Sequence, residues 1–308
     1  MPDILLFPGQ GSQRVGMAAD LADRFSAARE TLDAVDEAVG FSLSALMAGG
    51  PEEQLLQTDN AQPAILAHST AVLAVIRPAL DEIAGAAGHS LGEYSAYVAS
   101  GSLDPDHAAV LVRERGRLML EAGAARPGAM AAVLGLPAEQ VTTACLEGST
   151  ETHVAVPANL NAPDQTVISG DPEAVEAASA QCRLAGAKRV IPLKVSGAFH
   201  SPLMESALPG LRAALASVPF RDPQFPVVAN ANATQVRNAA EAVRLLAEQL
   251  TAPVRWVESM HTLGRIDPQA RIIEVGPGSV LKGLLRRILP DAQCITLGTT
   301  QEVEAFVE

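Results

Sequence analysis

Basic residues are scarce in this sequence. Against 35 Asp and Glu there are 22 Lys and Arg, a net charge of −13 over 308 residues. Nucleic-acid binding needs clustered basic surface to neutralise phosphates, so that class of partner is excluded. Long apolar runs are also missing. None reaches the ~18 residues of a membrane span, and the first residues lack the basic, apolar and cleavage regions of a secretory signal. The expectation is a cytoplasmic chain with no membrane association. Only three cysteines occur, Cys145, Cys182 and Cys294, widely spaced and without a C-x-x-C pair. That excludes a disulfide framework and leaves reduced packing thiols. The six histidines show no metal-ligand spacing, and His68, His107, His153 and His261 read as surface or packing residues, so no metal is expected. Internal repeats and low-complexity tails are absent.

What is present suits a large core. Hydrophobic residues make up 48% of the chain and charged ones 19%, a globular composition. The length predicts about two domains. Ile4 to Phe7, bounded by Pro8-Gly9, reads as a buried first strand. Gly16 to Leu46 carries helical periodicity with a break at Gly40, Pro51 to Leu56 a short helix, and Gln62 to Leu80 a longer buried one. Asp104 and Pro105 are placed as cap and first residue of a helix running to about Ala122. From Ala129 the rhythm changes. Strand, helix, two strands, a helix capped by Asp171, and a strand over Arg189 to Val195 give the β-α-β-β-α-β order of a ferredoxin-like unit. Helix and strand signals then alternate again: helix over Ser201 to Val218, strand over Phe225 to Ala229, helices over Ala239 to Leu250 and Arg255 to Leu263, strand over Arg271 to Val275, helix over Val280 to Leu289, and a last strand over Cys294 to Thr296.

The chemistry is concentrated in Gly88-His89-Ser90-Leu91-Gly92. A serine between glycines at this spacing, after a small-residue run and before a helix-compatible one, fits a sharp strand-to-helix turn that lifts Ser90 out as a nucleophile. The helix start would aim free N–H groups at the serine oxygen, making the Leu91 N–H a natural oxyanion donor. A glycine-flanked turn that merely holds a serine satisfies the same pattern. The Gly9-Gln10-Gly11-Ser12-Gln13 stretch opens like a dinucleotide fingerprint, but Arg14 stands where its third glycine should fall, which removes the phosphate-binding case. His200, where the inserted unit rejoins the rest, is the strongest candidate base, because pockets form at such junctions.

Gly9-Gln10-Gly11-Ser12-Gln13, Gly88-His89-Ser90-Leu91-Gly92, Gly197-Ala198-Phe199-His200-Ser201 and Gly276-Pro277-Gly278 occur in this order and spacing. Together they resemble the malonyl-CoA:acyl carrier protein transacylases and the acyltransferase domains of polyketide synthases, from Phe7 to about Leu289. The resemblance implies an α/β-hydrolase-like catalytic domain with a parallel sheet over 1–125 and 196–308, and a ferredoxin-like subdomain over 126–195. It implies Ser90 as nucleophile and His200 as base, and the backbone N–H groups of Gln10 and Leu91 as oxyanion hole. Arg115 matches the arginine that holds the malonyl carboxylate, and Gln62 a glutamine that steadies it. Gln249 matches the residue whose backbone carbonyl orients the base, so the pair would be a Ser-His dyad with no carboxylate third member. Asn159 and Asn161 fall in an asparagine-rich loop near the substrate mouth. Phe199 stands where a bulky aromatic accompanies malonyl preference. No bound cofactor is needed, since malonyl-CoA is a substrate, and nothing demands more than a monomer.

The physical chemistry agrees with these roles. Preorganised backbone donors stabilise the charge that develops on a thioester oxygen. Arginine's planar fork grips both oxygens of a carboxylate, where lysine offers a point charge. The partner implied is an acidic acyl carrier protein, and this chain is acidic too, so docking needs a local basic patch; Lys188, Arg189, Lys282, Arg286 and Arg287 are the candidates. The rival readings are a serine thioesterase or hydrolase using the same pair, and a non-catalytic docking subunit.

Overall fold

A computed structural model describes all 308 residues. The chain runs β1 (Asp3–Phe7), α1 (Ala19–Arg24), α2 (Ser26–Val39), α3 (Leu43–Gly49), α4 (Glu52–Leu55), α5 (Thr58–Ile76), β2 (Ile83–Gly88), α6 (Gly92–Ala99) and α7 (Pro105–Ala125). There follow β3 (Ala129–Leu134), α8 (Ala138–Gly148), β4 (Ala155–Ala162), β5 (Gln165–Gly170), α9 (Pro172–Leu184) and β6 (Arg189–Pro192). The last stretch holds α10 (Leu208–Ser217), β7 (Val227–Val228), β8 (Gln235–Val236), α11 (Ala239–Glu248), α12 (Trp256–Ile266), β9 (Arg271–Val275), α13 (Val280–Ile288), β10 (Cys294–Leu297) and α14 (Thr300–Val307).

The larger sheet has the order β10-β9-β1-β2-β7-β8, parallel except for β8. Every residue of β1 is buried, as expected of a central strand covered by helices on both faces. β1 is flanked by β2 on one side and β9 on the other, so the chain order reverses about it. A crevice opens at the carboxyl ends of strands at such a reversal, and ligands of parallel sheets bind there. The register pairs Phe7 with Gly88, which sets the Gly9-Gln10-Gly11 turn beside the Ser90 turn.

The second sheet is antiparallel, in the order β4-β5-β3-β6, the strand arrangement of a split βαβ unit. α8 and α9 supply its own core, with Val133, Val141, Cys145, Ile168, Val175 and Cys182 buried together. The thiols of Cys145 and Cys182 are packing groups, and burial raises both. β4 is stitched to the larger unit: Leu160 N–H donates to Val254 O (2.9 Å), and Val254 N–H to Ala158 O (2.8 Å). No helix is long and apolar enough to cross a membrane.

Several local expectations need correcting. Residues 16–46 contain three helices, because extended Phe25 breaks the run as well as Gly40. α5 starts at Thr58, with Pro63 one turn inside, where it removes a single ladder bond; proline's preference for the first helical position makes a later start look right. Neither Asp104 nor Asp171 caps its helix through the side chain. Asp104 accepts from Arg221, while Asp171 accepts from Arg126 Nη2 (2.9 Å) and Val154 N–H (2.8 Å). The helix over 201–218 opens as a tighter 3-10 turn, Pro202–Ala207, before α10. β8 and α14 were not anticipated, although Thr299 and Glu302 form a capping box whose T-x-x-E signature is present in the sequence.

Candidate active site

The nucleophile turn is forced by close packing. A Cβ on Gly88 would lie 1.8 Å from the Gly92 carbonyl carbon, and one on Gly92 only 2.1 Å from Phe7 O. With no room on either side, α6 can leave β2 at once, and Ser90 takes a left-handed conformation, φ 51°. Asn230 holds that strained turn from behind. Its Oδ1 accepts from Ser90 N–H (2.7 Å) and its Nδ2 donates to Gly88 O (2.8 Å).

His200 is also held at positive φ, 56°. Its Nδ1 donates to Gln249 O at 2.9 Å, which leaves the Nε2 lone pair facing Ser90 Oγ at 2.7 Å. The ring is buried, and burial followed by the charge of Arg115 pulls its pKa down to about 3. The imidazole is therefore a neutral acceptor at ordinary pH. Gln10 and Leu91 both line the cavity at Ser90, and the backbone N–H of neither donates to another backbone carbonyl. Leu91 stands at the head of α6, whose dipole adds to its donor strength.

Arg115 reaches the same point from α7. It is 1% exposed. Nη1 donates to Gln62 Oε1 (2.7 Å), and Nη2 donates to Gln249 Oε1 (3.0 Å) and to Ser90 Oγ (3.2 Å). Its partners are neutral amides and a hydroxyl, so hydrogen bonding orients the guanidinium without neutralising it. Tyr94 covers it, with Cζ 5.6 Å from the ring centre. By contrast Arg117 is spent on Glu114 and Glu121, and Arg113 on Val39 O and the Phe41 ring.

These groups open onto a cavity of about 430 Å³ between the two sheets. Phe199, Met119 and Met130 supply apolar wall, Asn159 reaches in from β4, and exposed Lys194 completes one side. A larger depression of about 820 Å³ lies at the amino ends of β1 and β9, lined by Met1, His261 and Arg271, and holds none of the predicted nucleophile, base or oxyanion groups.

The predicted set thus separates cleanly. Ser90, His200, Gln10, Leu91, Arg115, Phe199 and Asn159 meet in one cavity, with Gln62 and Gln249 bonded to Arg115 behind it. Asn161 does not line the cavity; its Oδ1 lies 2.8 Å from His89 Nε2. Lys188, Arg189, Lys282, Arg286 and Arg287 are exposed, and none borders the cavity. Arg287 is already paired with Asp164. Sequence reading missed Asn230, Glu93, Met119 and Lys194. Glu93 stood in plain view one residue past the motif, whereas nothing near Asn230 signals that it supports Ser90.

A model described as acyl transferase domain matches residues 4–305. The chain belongs to the acyl transferase family. It is 41% identical over 303 residues to the malonyl CoA-acyl carrier protein transacylase of Bacillus subtilis (strain 168), covering 98% of this chain and 95% of that one. The crystal structure of an acyl carrier protein S-malonyltransferase from Vibrio cholerae superposes with a TM-score of 0.95 at 40% identity, over 100% of both chains. A type II PKS acyl-carrier protein in complex with its malonyl-transacylase gives 0.94 at 39% identity, over 99% of both chains. This acyl transferase therefore shares a whole chain with its relatives, inserted sheet included.

Proposed function

We propose that this acyl transferase moves a malonyl group from malonyl-CoA to the phosphopantetheine thiol of an acyl carrier protein, through a malonyl ester on Ser90. Arg115 carries the reading. In malonyl the carboxylate carbon stands two bonds from the reacting carbonyl. A buried, un-neutralised guanidinium 3.2 Å from Ser90 Oγ suits an acyl group with an anionic end at that short reach.

In the loading step Ser90 Oγ attacks the thioester carbonyl as its proton passes to His200 Nε2. Charge on the carbonyl oxygen is met by the N–H groups of Gln10 and Leu91. The bond to CoA sulfur breaks, and the proton on His200 leaves with the thiol. The second step is the reverse with a new thiol: His200 takes the pantetheine proton, sulfur attacks the ester, and Ser90 regains its hydrogen. The Gln249 carbonyl keeps the imidazole in the required tautomer throughout. No metal or cofactor enters any step.

The same reading makes 1–125 and 196–308 the catalytic unit, 126–195 the ferredoxin-like cover that closes its cleft, and the cytoplasm the place of work. Lys194, exposed at the cavity, is the cation offered to the phosphate of a pantetheine arm, shared by CoA and the carrier, and the exposed Lys188, Arg189, Lys282 and Arg286 are the candidates to receive the carrier itself. A malonyl adduct on the intact protein after incubation with malonyl-CoA, absent from Ser90→Ala, tests the first step by mass spectrometry. An adduct of equal yield on the variant would remove Ser90 from the mechanism.

A further inference from the structure

Behind the nucleophile lies a carboxylate that the mechanism above leaves unused. Glu93, the second residue of α6, is fully buried. Its Oε2 accepts from Asn230 N–H (2.9 Å) and from Gln249 Nε2 (2.7 Å), while Oε1 has no partner. Burial raises its pKa to about 7. A buried acid with one oxygen unpartnered is costly, and it sits one amide away from Arg115.

A glutamine amide can be seated in two ways, and here its surroundings permit one. Gln249 Nε2 faces Ser90 O (3.0 Å) and Glu93 Oε2, both acceptors, while its Oε1 faces the Arg115 guanidinium, which only donates. Reversed, the amide oxygen would meet acceptors and its NH2 would meet the guanidinium. Ser90 O also accepts from Glu93 N–H in the helix turn, so the carboxylate is the stronger lock on the amide.

We propose that Glu93 is a positioning residue for malonyl recognition: by accepting from Gln249 Nε2 it seats the amide oxygen toward Arg115 and fixes the guanidinium for the malonyl carboxylate. Acetyl has no carboxylate and does not use that placement. The proposal rests on the malonyl reading, and the parent enzyme's own preference for malonyl-CoA over acetyl-CoA tests that reading before any variant is compared.

Two substitutions separate placement from charge. Glu93→Gln loses the charge but keeps an oxygen at the Oε2 position. Glu93→Asp keeps the charge but withdraws the acceptor by one methylene. The ratio of kcat/KM for malonyl-CoA to that for acetyl-CoA should stay near the parent value in Glu93→Gln. It should fall roughly tenfold or more in Glu93→Asp, with acetyl transfer preserved, as expected when a binding group is displaced by about 1 Å. Glu93→Met, close in size, removes the acceptor while leaving Gln249 and its bond to Arg115 untouched. It should show the same fall, and it decides the matter if Glu93→Asp does not fold. The reverse pattern, Gln falling and Asp holding, would assign the effect to charge and overturn the proposal. So would equal losses for both substrates, or no change in any variant.

Discussion

On the proposed reading Arg115 carries the selectivity of the site, and its neighbours explain why a single arginine would suffice. Held by amides, the guanidinium is oriented before substrate arrives and has no carboxylate bonded to it. Arg115→Ala leaves a malonyl carboxylate buried without its partner, a loss of about 2–5 kcal/mol in transition-state binding. Malonyl transfer should fall by tens to thousands of fold while acetyl transfer holds or improves, read as kcat/KM for both thioesters. Arg117→Ala, which breaks only an exposed pairing with Glu114 and Glu121, should leave the ratio unchanged. His200 gives a second residue-scale prediction. An imidazole must be neutral to accept the serine proton, and burial with Arg115 holds its pKa near 3. Loading should therefore stay flat as pH falls through 6.5, the ordinary histidine value, and decline only below about pH 5. Removing Arg115 removes the second cause of that depression, so the acid limb measured with acetyl-CoA should move to higher pH in Arg115→Ala. An acid limb at 6.5 in the parent would mean that His200 is not held neutral by its surroundings.

At the scale of elements, the site is a β1 turn and a β2–α6 turn brought side by side by parallel register. Gly92 is where that arrangement is most exposed to mutation, since a side chain there would strike the β1 carbonyl at Phe7. Gly92→Ala should destabilise by about 3 kcal/mol or more and abolish loading. Gly283→Ala, in the middle of α13 with open space around it, should gain about 0.5–1 kcal/mol. Urea midpoints at unchanged slope compare the two. The Ser90 turn was legible in the sequence because its physics is local: two glycines, a serine and a helix start within five residues. So was the inserted sheet, whose alternating strand and helix signals each span enough residues to be read alone. Short β7 falls inside the strand expected over Phe225 to Ala229, whereas β8 depends on its neighbour for pairing and carries little signal of its own. Asn230 is invisible for the same reason, since its two bonds to the Ser90 turn span some 140 residues of chain. The motif register predicted which residues assemble. It did not predict that the Gln249 side chain, besides its carbonyl, ties Arg115 to Ser90 and Glu93.

For the whole molecule the question is how a chain of net charge −13 would receive the acidic carrier that the resemblance implies. Composition could not answer it, because docking depends on where charges sit and not on their sum. Lys188 and Arg286 are the informative positions, being exposed and free of carboxylate pairing, whereas reversing Arg287 would also set a carboxylate against Asp164. Lys188→Glu and Arg286→Glu should slow transfer to carrier while leaving loading from malonyl-CoA unchanged. Both half-reactions meet in one direct measurement. The protein is loaded with radiolabelled malonyl-CoA, freed of excess CoA, and mixed with phosphopantetheinylated carrier protein, and the label is followed with time. Label leaving Ser90 and appearing on the carrier in equal amount is the result predicted here; label released as free malonate, with the carrier unlabelled, would contradict the account and make the enzyme a hydrolase.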